Sequence, residues 1–254
     1  MSRRGITPNR DDVPYHLSGV YSGMISRVVG RSVLARILKA LNMNVNRDNN
    51  AANEQKWSRR AATYDDKWHD YFRFMQKELI SMAKINPPIN FLDLGCGTGW
   101  AVCHVAQMTN GQGNFVGIDI AKGMIEKSKE NAKGLPNVRF YEASSDNLPL
   151  ESDYFDTIIC TNSFHHYSRP EAALSEANRV LKPDGGIFIL DVTADDFFIR
   201  WIDSKVRANE KEHVKFYGSN EYLSMFKKAG LIHEASRRIK VFYPLKVHIG
   251  RKEQ

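Results

Sequence analysis

The segment Asp93-Leu-Gly-Cys-Gly-Thr-Gly99 closes a strand pattern, Ile89–Leu94, and a helical pattern starts directly after it. Three glycines at alternate positions between a strand and a helix demand a tight turn. Without Cβ atoms, that turn lets a ligand approach the backbone closely. The start of the following helix offers free N–H groups and the positive end of its dipole, which suits an anion.

From Pro88 onward the chain alternates strand and helix. Strand patterns cover Ile89–Leu94, Phe115–Ile120, Val138–Ala143, Phe155–Thr161 and Ile187–Val192. Helices are expected at Gly99–Met108, Met124–Lys133, Glu171–Leu181 and Glu221–Lys228. Continuous apolar strands between helices imply a parallel sheet covered on both faces. Two further strands near Ile232–Phe242 and Leu245–Ile249, separated around Pro244, read as an antiparallel hairpin at the sheet edge. The expected fold class is α/β: a doubly wound, mostly parallel, seven-stranded sheet with a helical N-terminal extension.

The 254 residues suffice for one large α/β domain plus an extension. The domain is expected over 53–254, with a helical lid at 53–88 and an acceptor-side segment at 193–230. A basic extension and linker would occupy 1–52. Residues 1–50 hold eight Lys/Arg against three Asp, whereas the remainder holds 28 basic and 26 acidic side chains. The net charge of +7 therefore sits largely on the extension, and the nearly neutral body argues against a nucleic-acid partner. Within the extension, residues 17–41 read as an amphipathic helix carrying Arg27, Arg31, Arg36 and Lys39. It could contact a membrane surface, or pack on the domain or a second subunit in a homodimer. No apolar run is long enough to cross a bilayer, no export signal follows Met1, and three unpaired cysteines suit a reducing, cytoplasmic setting. Neither the cysteines nor the eight histidines show metal-ligand spacing, so no metal is expected.

Three ligands compete for the glycine loop. No lysine follows Gly99, which removes the triphosphate-binding pattern G-x-x-x-x-G-K-[ST]. Trp100 stands where a dinucleotide loop has its third glycine, and Asp93 would face a pyrophosphate badly. Asp93 suits an ammonium and the helix start suits a carboxylate. S-adenosylmethionine carries both. Asp119, at the end of the second strand, would accept the hydroxyls of a ribose.

These residues resemble the class I S-adenosylmethionine-dependent methyltransferases, especially the small-molecule group that includes ubiquinone/menaquinone-biosynthesis enzymes. The resemblance is carried by Phe91–Gly99, Val116-Gly-Ile-Asp-Ile120 with Met124, Phe140–Leu150, Phe155-Asp-Thr-Ile-Ile159 and Arg179-Val-Leu-Lys-Pro-Asp-Gly-Gly186. It implies a Rossmann-like methyltransferase fold and a cofactor, S-adenosylmethionine, that leaves as S-adenosylhomocysteine. It further implies that Asp93, Gly95 and Gly97 line the methionine end, that Asp119 meets the ribose, and that Cys96, Gly99 and Thr161 belong to the cofactor-binding set. Ile120 and Met124 would flank the adenine, with Ser144 and Ser145 at its edge and Tyr64 in the lid. Many relatives carry Asp where Ser144 stands. Thr161-Asn-Ser-Phe164 occupies the place of the N-P-P signature of amino-group methyltransferases, which weakens that substrate class.

A base is needed only where the acceptor must lose a proton. His165 and His166, just past the fourth strand, stand where a base could reach; equally, they could simply begin the next loop. Aromatic residues crowd both segments expected to roof the acceptor: Trp57, Tyr64, Trp68, Tyr71, Phe72 and Phe74 in one, Phe197, Phe198, Trp201, Phe216 and Tyr217 in the other. They lean toward a small apolar or aromatic acceptor. Two other readings compete: an NAD(P)-dependent oxidoreductase, and a methyltransferase-like binding subunit without activity.

Overall fold

In the computed structural model, residues 49–83, 85–210, 212–239 and 244–254 are described. The amphipathic segment 17–41, and with it most of the basic extension, lies outside the described residues, as does the side chain of Trp68.

Helix α1 (Asn49–Met82) leads to β1 (Ile89–Leu94), α2 (Trp100–Met108), β2 (Gly113–Asp119), α3 (Lys122–Asn131) and β3 (Val138–Glu142). Next come β4 (Phe155–Thr161), a 3-10 turn at Phe164–His166, α4 (Pro170–Val180) and β5 (Leu181–Val192). The chain closes with α5 (Phe197–Asn209), α6 (Ser219–Lys228), β6 (Leu231–Arg238) and β7 (Leu245–Lys252). The strands form one sheet in the order β3-β2-β1-β4-β5-β7-β6. The first five run parallel, and β7 inserts antiparallel between β5 and β6. The expected doubly wound sheet with its antiparallel terminal pair is therefore the observed one.

Alternation along β1 explains the two-sided core. Phe91 packs with Met75 and Leu79 of α1, Val102 and Val105 of α2, and Phe115. Leu92 and Leu94 face the other way, toward Leu174 and Ala177 of α4 and Tyr222 and Phe226 of α6. Phe91, Phe115, Phe155 and Phe226 are buried completely or nearly so, each worth about 1.5–3 kcal/mol in apolar transfer.

Beyond shifts of a few residues at the ends of other elements, three elements differ from the sequence expectation. Helix α1 starts at Asn49, so it runs unbroken through the junction expected at 52/53. Strand β5 begins at Leu181, before the turn residues rather than after them. Its pairing with β4 jumps from Phe155↔Leu181 to Thr157↔Gly186, which bulges out Lys182–Gly185 with Asp184 at φ 64°. Helix α5 falls where the sequence pattern marks no helix. Its N-cap, Asp196, accepts a hydrogen bond from Ile199 N at 2.9 Å, and Ile199, Ile202 and Asp203 are its buried side.

Candidate active site

The strand order reverses at β1, whose neighbours β2 and β4 are followed by connections on opposite faces of the sheet. Ligands of such sheets bind beyond the carboxyl ends at that point. A cavity of about 370 Å³ lies there, within the range for small-molecule sites. Its floor is the glycine loop, and α1 covers it.

The loop is held by packing as much as by turn geometry. Gly95, Gly97 and Gly99 have φ of 72°, 53° and 79°, values that side chains disfavour. A Cβ on Gly95 would fall 1.9 Å from Ser163 Oγ, whereas one on Gly97 would meet nothing nearer than Tyr64, at 3.9 Å. The Phe140 ring occupies the space that Cβ atoms of Gly99 and Gly117 would need. Phe140 thus wedges the loop from beneath, and Gly97 keeps the face toward Tyr64 bare.

Asp119 braces the same loop. One carboxylate oxygen accepts from Gly97 N and the other from Ala121 N, each at 2.9 Å. Burial raises its carboxyl above the usual range, against the pull of those N–H donors. Each oxygen retains a further lone pair for a ligand hydroxyl. Asp93 lies deeper, essentially buried, and forms no part of the cavity wall. Burial and the neighbouring Asp119 push its carboxyl well above the ordinary range.

Asp93 Oδ2, Thr161 Oγ1 and Asn162 Nδ2 are all buried without a hydrogen-bond partner. Such orphans are uncommon and costly. Asp93 belongs to the strand that feeds the glycine loop, and Thr161 and Asn162 line the cavity beside it. An acceptor, a hydroxyl and an amide donor are thus left unanswered beneath and around one end of the cavity.

Most of the expected residues meet in this space: Tyr64, Gly95, Gly97, Asp119, Ile120, Met124, Ser144, Ser145, Thr161, His165 and His166 all line it. Cys96 instead borders a small adjoining pocket of about 40 Å³, and Gly99 caps α2 behind the wall. Met124 is 2% exposed and packs with Ala61, Ala121, Trp57 and Tyr64. Ser144 Oγ donates to Asp146 Oδ1 at 2.5 Å, and Asp146 Oδ2 accepts from Arg169 Nε at 2.6 Å. Sequence reasoning passed over Asp146 and Arg169, though an acid two residues past Ser144 was there to be read.

The aromatic roof is one-sided. Trp57, Tyr64, Tyr71, Phe72 and Phe216 line the cavity. Tyr64 stacks on Phe72 with centroids 5.3 Å apart, and Trp57 stands edge-on to Tyr64 and His166. Phe197 and Phe198, by contrast, are 84% and 63% exposed at the start of α5 and take no part in the lining. Tyr217 is buried in the core against Phe164 and Tyr222.

The histidines line the cavity from the turn that follows β4. Asp191, fully buried at the end of β5, accepts from His165 N at 3.0 Å and pairs with His165 Nδ1 at 2.7 Å. His166 Nδ1 lies 2.7 Å from the Glu212 carbonyl. Burial, with His165, His213, Lys56 and Arg60 nearby, holds His166 well below its usual range. Asn53 of α1 donates to the His166 carbonyl at 3.1 Å, clipping the covering helix to this turn.

Residues 85–230 match the methyltransferase domain family. An uncharacterized methyltransferase of Bacillus subtilis, YcgJ, is 30% identical over 152 residues, covering 58% of this chain and 59% of that protein. The ubiquinone/menaquinone biosynthesis C-methyltransferase UbiE of Francisella tularensis is 32% identical over 122 residues, covering 47% of this chain and 49% of that one. The match thus spans about half to three-fifths of these relatives. A solved S-adenosylmethionine-dependent methyltransferase from Aquifex aeolicus shares the fold at TM-score 0.62 and 21% identity, covering 76% of this chain and 97% of that one.

Proposed function

The chain belongs to the methyltransferase domain family, and from that premise we propose that it methylates a small apolar or aromatic acceptor with S-adenosylmethionine as donor. The donor supplies an activated methyl group on a sulfonium. The observation that carries the reading is the set of orphaned polar atoms, Asp93 Oδ2, Thr161 Oγ1 and Asn162 Nδ2, grouped about the bare glycine loop. An ammonium, a carboxylate and hydroxyls are the groups that would satisfy them.

In this reading Gly95 and Gly97 hold the amino-acid end, Asp93 draws its ammonium from beneath the loop, and Cys96, Gly99 and Thr161 shape the turn around it. Asp119 uses its remaining lone pairs on the ribose. Ile120 and Met124 give the adenine its apolar faces, and Ser144 and Ser145 lie at its edge. Asp146, anchored by Arg169, supplies the carboxylate that Ser144 lacks. Tyr64 and Trp57 exclude water above. The residues' main contribution is alignment, which supplies on the order of 7–11 kcal/mol in favourable cases. Activation of the acceptor falls to the His165/His166 face of the cavity. The amphipathic segment 17–41 would bring the domain to a membrane surface where a lipid-like acceptor resides.

Calorimetry with S-adenosylhomocysteine, NADH and NADPH tests the donor: tight binding of the first alone is expected, and NAD(P)H binding in its place overturns the reading. Incubation with radiolabelled methyl donor and a panel of quinols, phenols and lipid extracts tests the acceptor. Binding of S-adenosylhomocysteine with no labelled product from any extract would favour a non-catalytic subunit.

A further inference from the structure

His165 and His166, on the 3-10 turn, meet His213, from the segment joining α5 to α6. One ring nitrogen from each lies within 4.8 Å of the other two, the one such grouping of three among the described residues. Ring centroids are 4.0 Å apart for His165–His166, 5.4 Å for His165–His213 and 6.4 Å for His166–His213. About 47 residues separate the pair from the third histidine, so no short spacing motif announces the grouping.

Each ring has one nitrogen committed to an acceptor of the protein. His165 Nδ1 is 2.7 Å from Asp191 Oδ1, His166 Nδ1 is 2.7 Å from the Glu212 carbonyl, and His213 Nε2 is 2.7 Å from Asp203 Oδ1. Carbonyls and ionised carboxylates only accept, so the committed nitrogen of each ring carries the proton. The lone pairs are then on His165 Nε2, His166 Nε2 and His213 Nδ1. Three imidazoles, each oriented by an outer hydrogen-bond acceptor, form the arrangement by which proteins fix histidine ligands around a metal. Asp191 and Asp203 are themselves locked, by Val192 N and Phe216 N respectively, both at 2.7 Å.

We propose that His165, His166 and His213 bind one divalent transition-metal ion, of which zinc is the type, at the acceptor end of the cavity. Neutral imidazoles favour such ions over magnesium or calcium, which prefer oxygen. Tetrahedral zinc with nitrogen at about 2.0–2.1 Å needs ligand atoms about 3.4 Å apart. The three ligand atoms lie within 4.8 Å of one another, so the rings would draw closer on binding the ion. Three protein ligands leave a fourth position open, as in reactive rather than structural sites. Since His165 and His166 line the cavity, that position is available to an acceptor hydroxyl. The ion would ease loss of the hydroxyl proton to water. This use rests on the methyltransferase reading; the site itself does not.

The test uses untagged full-length chain, stripped with chelator and titrated with Co²⁺ under visible absorption, then with Zn²⁺ in competition. One equivalent with tetrahedral absorption bands is expected. His166→Ala and His213→Ala should each weaken Co²⁺ at least tenfold, and Asp203→Asn by about 10–100-fold. Binding of S-adenosylhomocysteine by the same variants reports that they are folded. No stoichiometric Co²⁺ binding, or binding unchanged in both alanine variants, overturns the metal site. Stoichiometric Co²⁺ without any S-adenosylhomocysteine binding overturns the donor reading instead.

Discussion

Asp191 grips His165 twice, accepting from its main-chain N–H at 3.0 Å and from its ring Nδ1 at 2.7 Å. The first bond sets where the turn leaves β4, and the second sets which ring nitrogen keeps a lone pair. Asp191→Asn preserves size but lets the side-chain NH₂ donate to Nδ1, which moves the ring proton to Nε2. Whether His165 acts as a ligand or takes a proton, that nitrogen must be bare. The expected result is a 10–100-fold fall in turnover with an unchanged KM for the donor. Steady-state kinetics check it, and a fall in donor affinity alone would show that the bond serves only the loop.

Gly95 and Gly134 both have positive φ, 72° and 89°, but only Gly95 is crowded. At Gly134 an added Cβ has nothing within 4 Å. Gly134→Ala should therefore cost only the left-handed backbone term, about 1–2 kcal/mol. Gly95→Ala adds overlap with Ser163 and should cost clearly more, together with loss of S-adenosylhomocysteine binding. Denaturant titration of the two variants decides it; equal losses would mean that Ser163 turns away freely.

Much of this was legible in the chain, for identifiable reasons. β1 and β4 are legible to the residue because each gathers buried apolar side chains, Ile89, Phe91, Leu92 and Leu94 in one and Phe155, Ile158, Ile159 and Cys160 in the other, in a short stretch closed by glycine or a polar residue. The cavity's floor was legible because a glycine loop is a backbone requirement written locally. The histidine face was not. Asp191, His213 and Asp203 come from three separated segments, and only the sheet and α5 bring them to the His165 turn. One signal was available: Asp191 is a lone charge inside the apolar run Ile187–Val192. A fully buried carboxylate there required a partner.

Asp93 sets function against stability. Its folded pKa is raised above the ordinary value by burial and Asp119. A raised group contributes stability that is whole below the unfolded pKa, near 3.9, and is lost as pH rises through the folded one. Asp93→Asn should then melt higher than the parent at neutral pH in the absence of ligand, with the gap closing in acid. The same variant should bind S-adenosylhomocysteine at least tenfold more weakly, about 1.4 kcal/mol. Thermal melts across pH, paired with calorimetry, separate the two effects.

His248 gives the opposite sign. Its ring stacks on Tyr222 with centroids 3.7 Å apart and bonds Thr193 and Ser236, and burial pushes its pKa down to about 3. A depressed base contributes stability above the unfolded pKa, near 6.5, that is lost as pH falls toward the folded one. One proton taken up on unfolding corresponds to a slope of about 1.4 kcal/mol per pH unit across that window. Replacing His248 with Asn should flatten the acid limb by up to that slope in denaturation curves recorded from pH 7 to 4. An unchanged limb would place the uptake on His166 and His213.

The charge of the chain is concentrated where the described residues do not reach. Eight of its 36 basic side chains lie within residues 1–50, four of them interleaved with the apolar positions of 17–41. Each Lys or Arg at an anionic surface is worth about 1 kcal/mol and is screened by salt. Co-sedimentation with phosphatidylserine-rich vesicles should therefore pellet the full chain and release it as salt is raised. A chain lacking residues 1–48 keeps the start of α1 at Asn49 and should stay in the supernatant. Its binding of S-adenosylhomocysteine should be unchanged, because every described residue that lines the cavity is kept. Equal pelleting of the two chains would remove the membrane from the account and leave the acceptor to reach the cavity from solution.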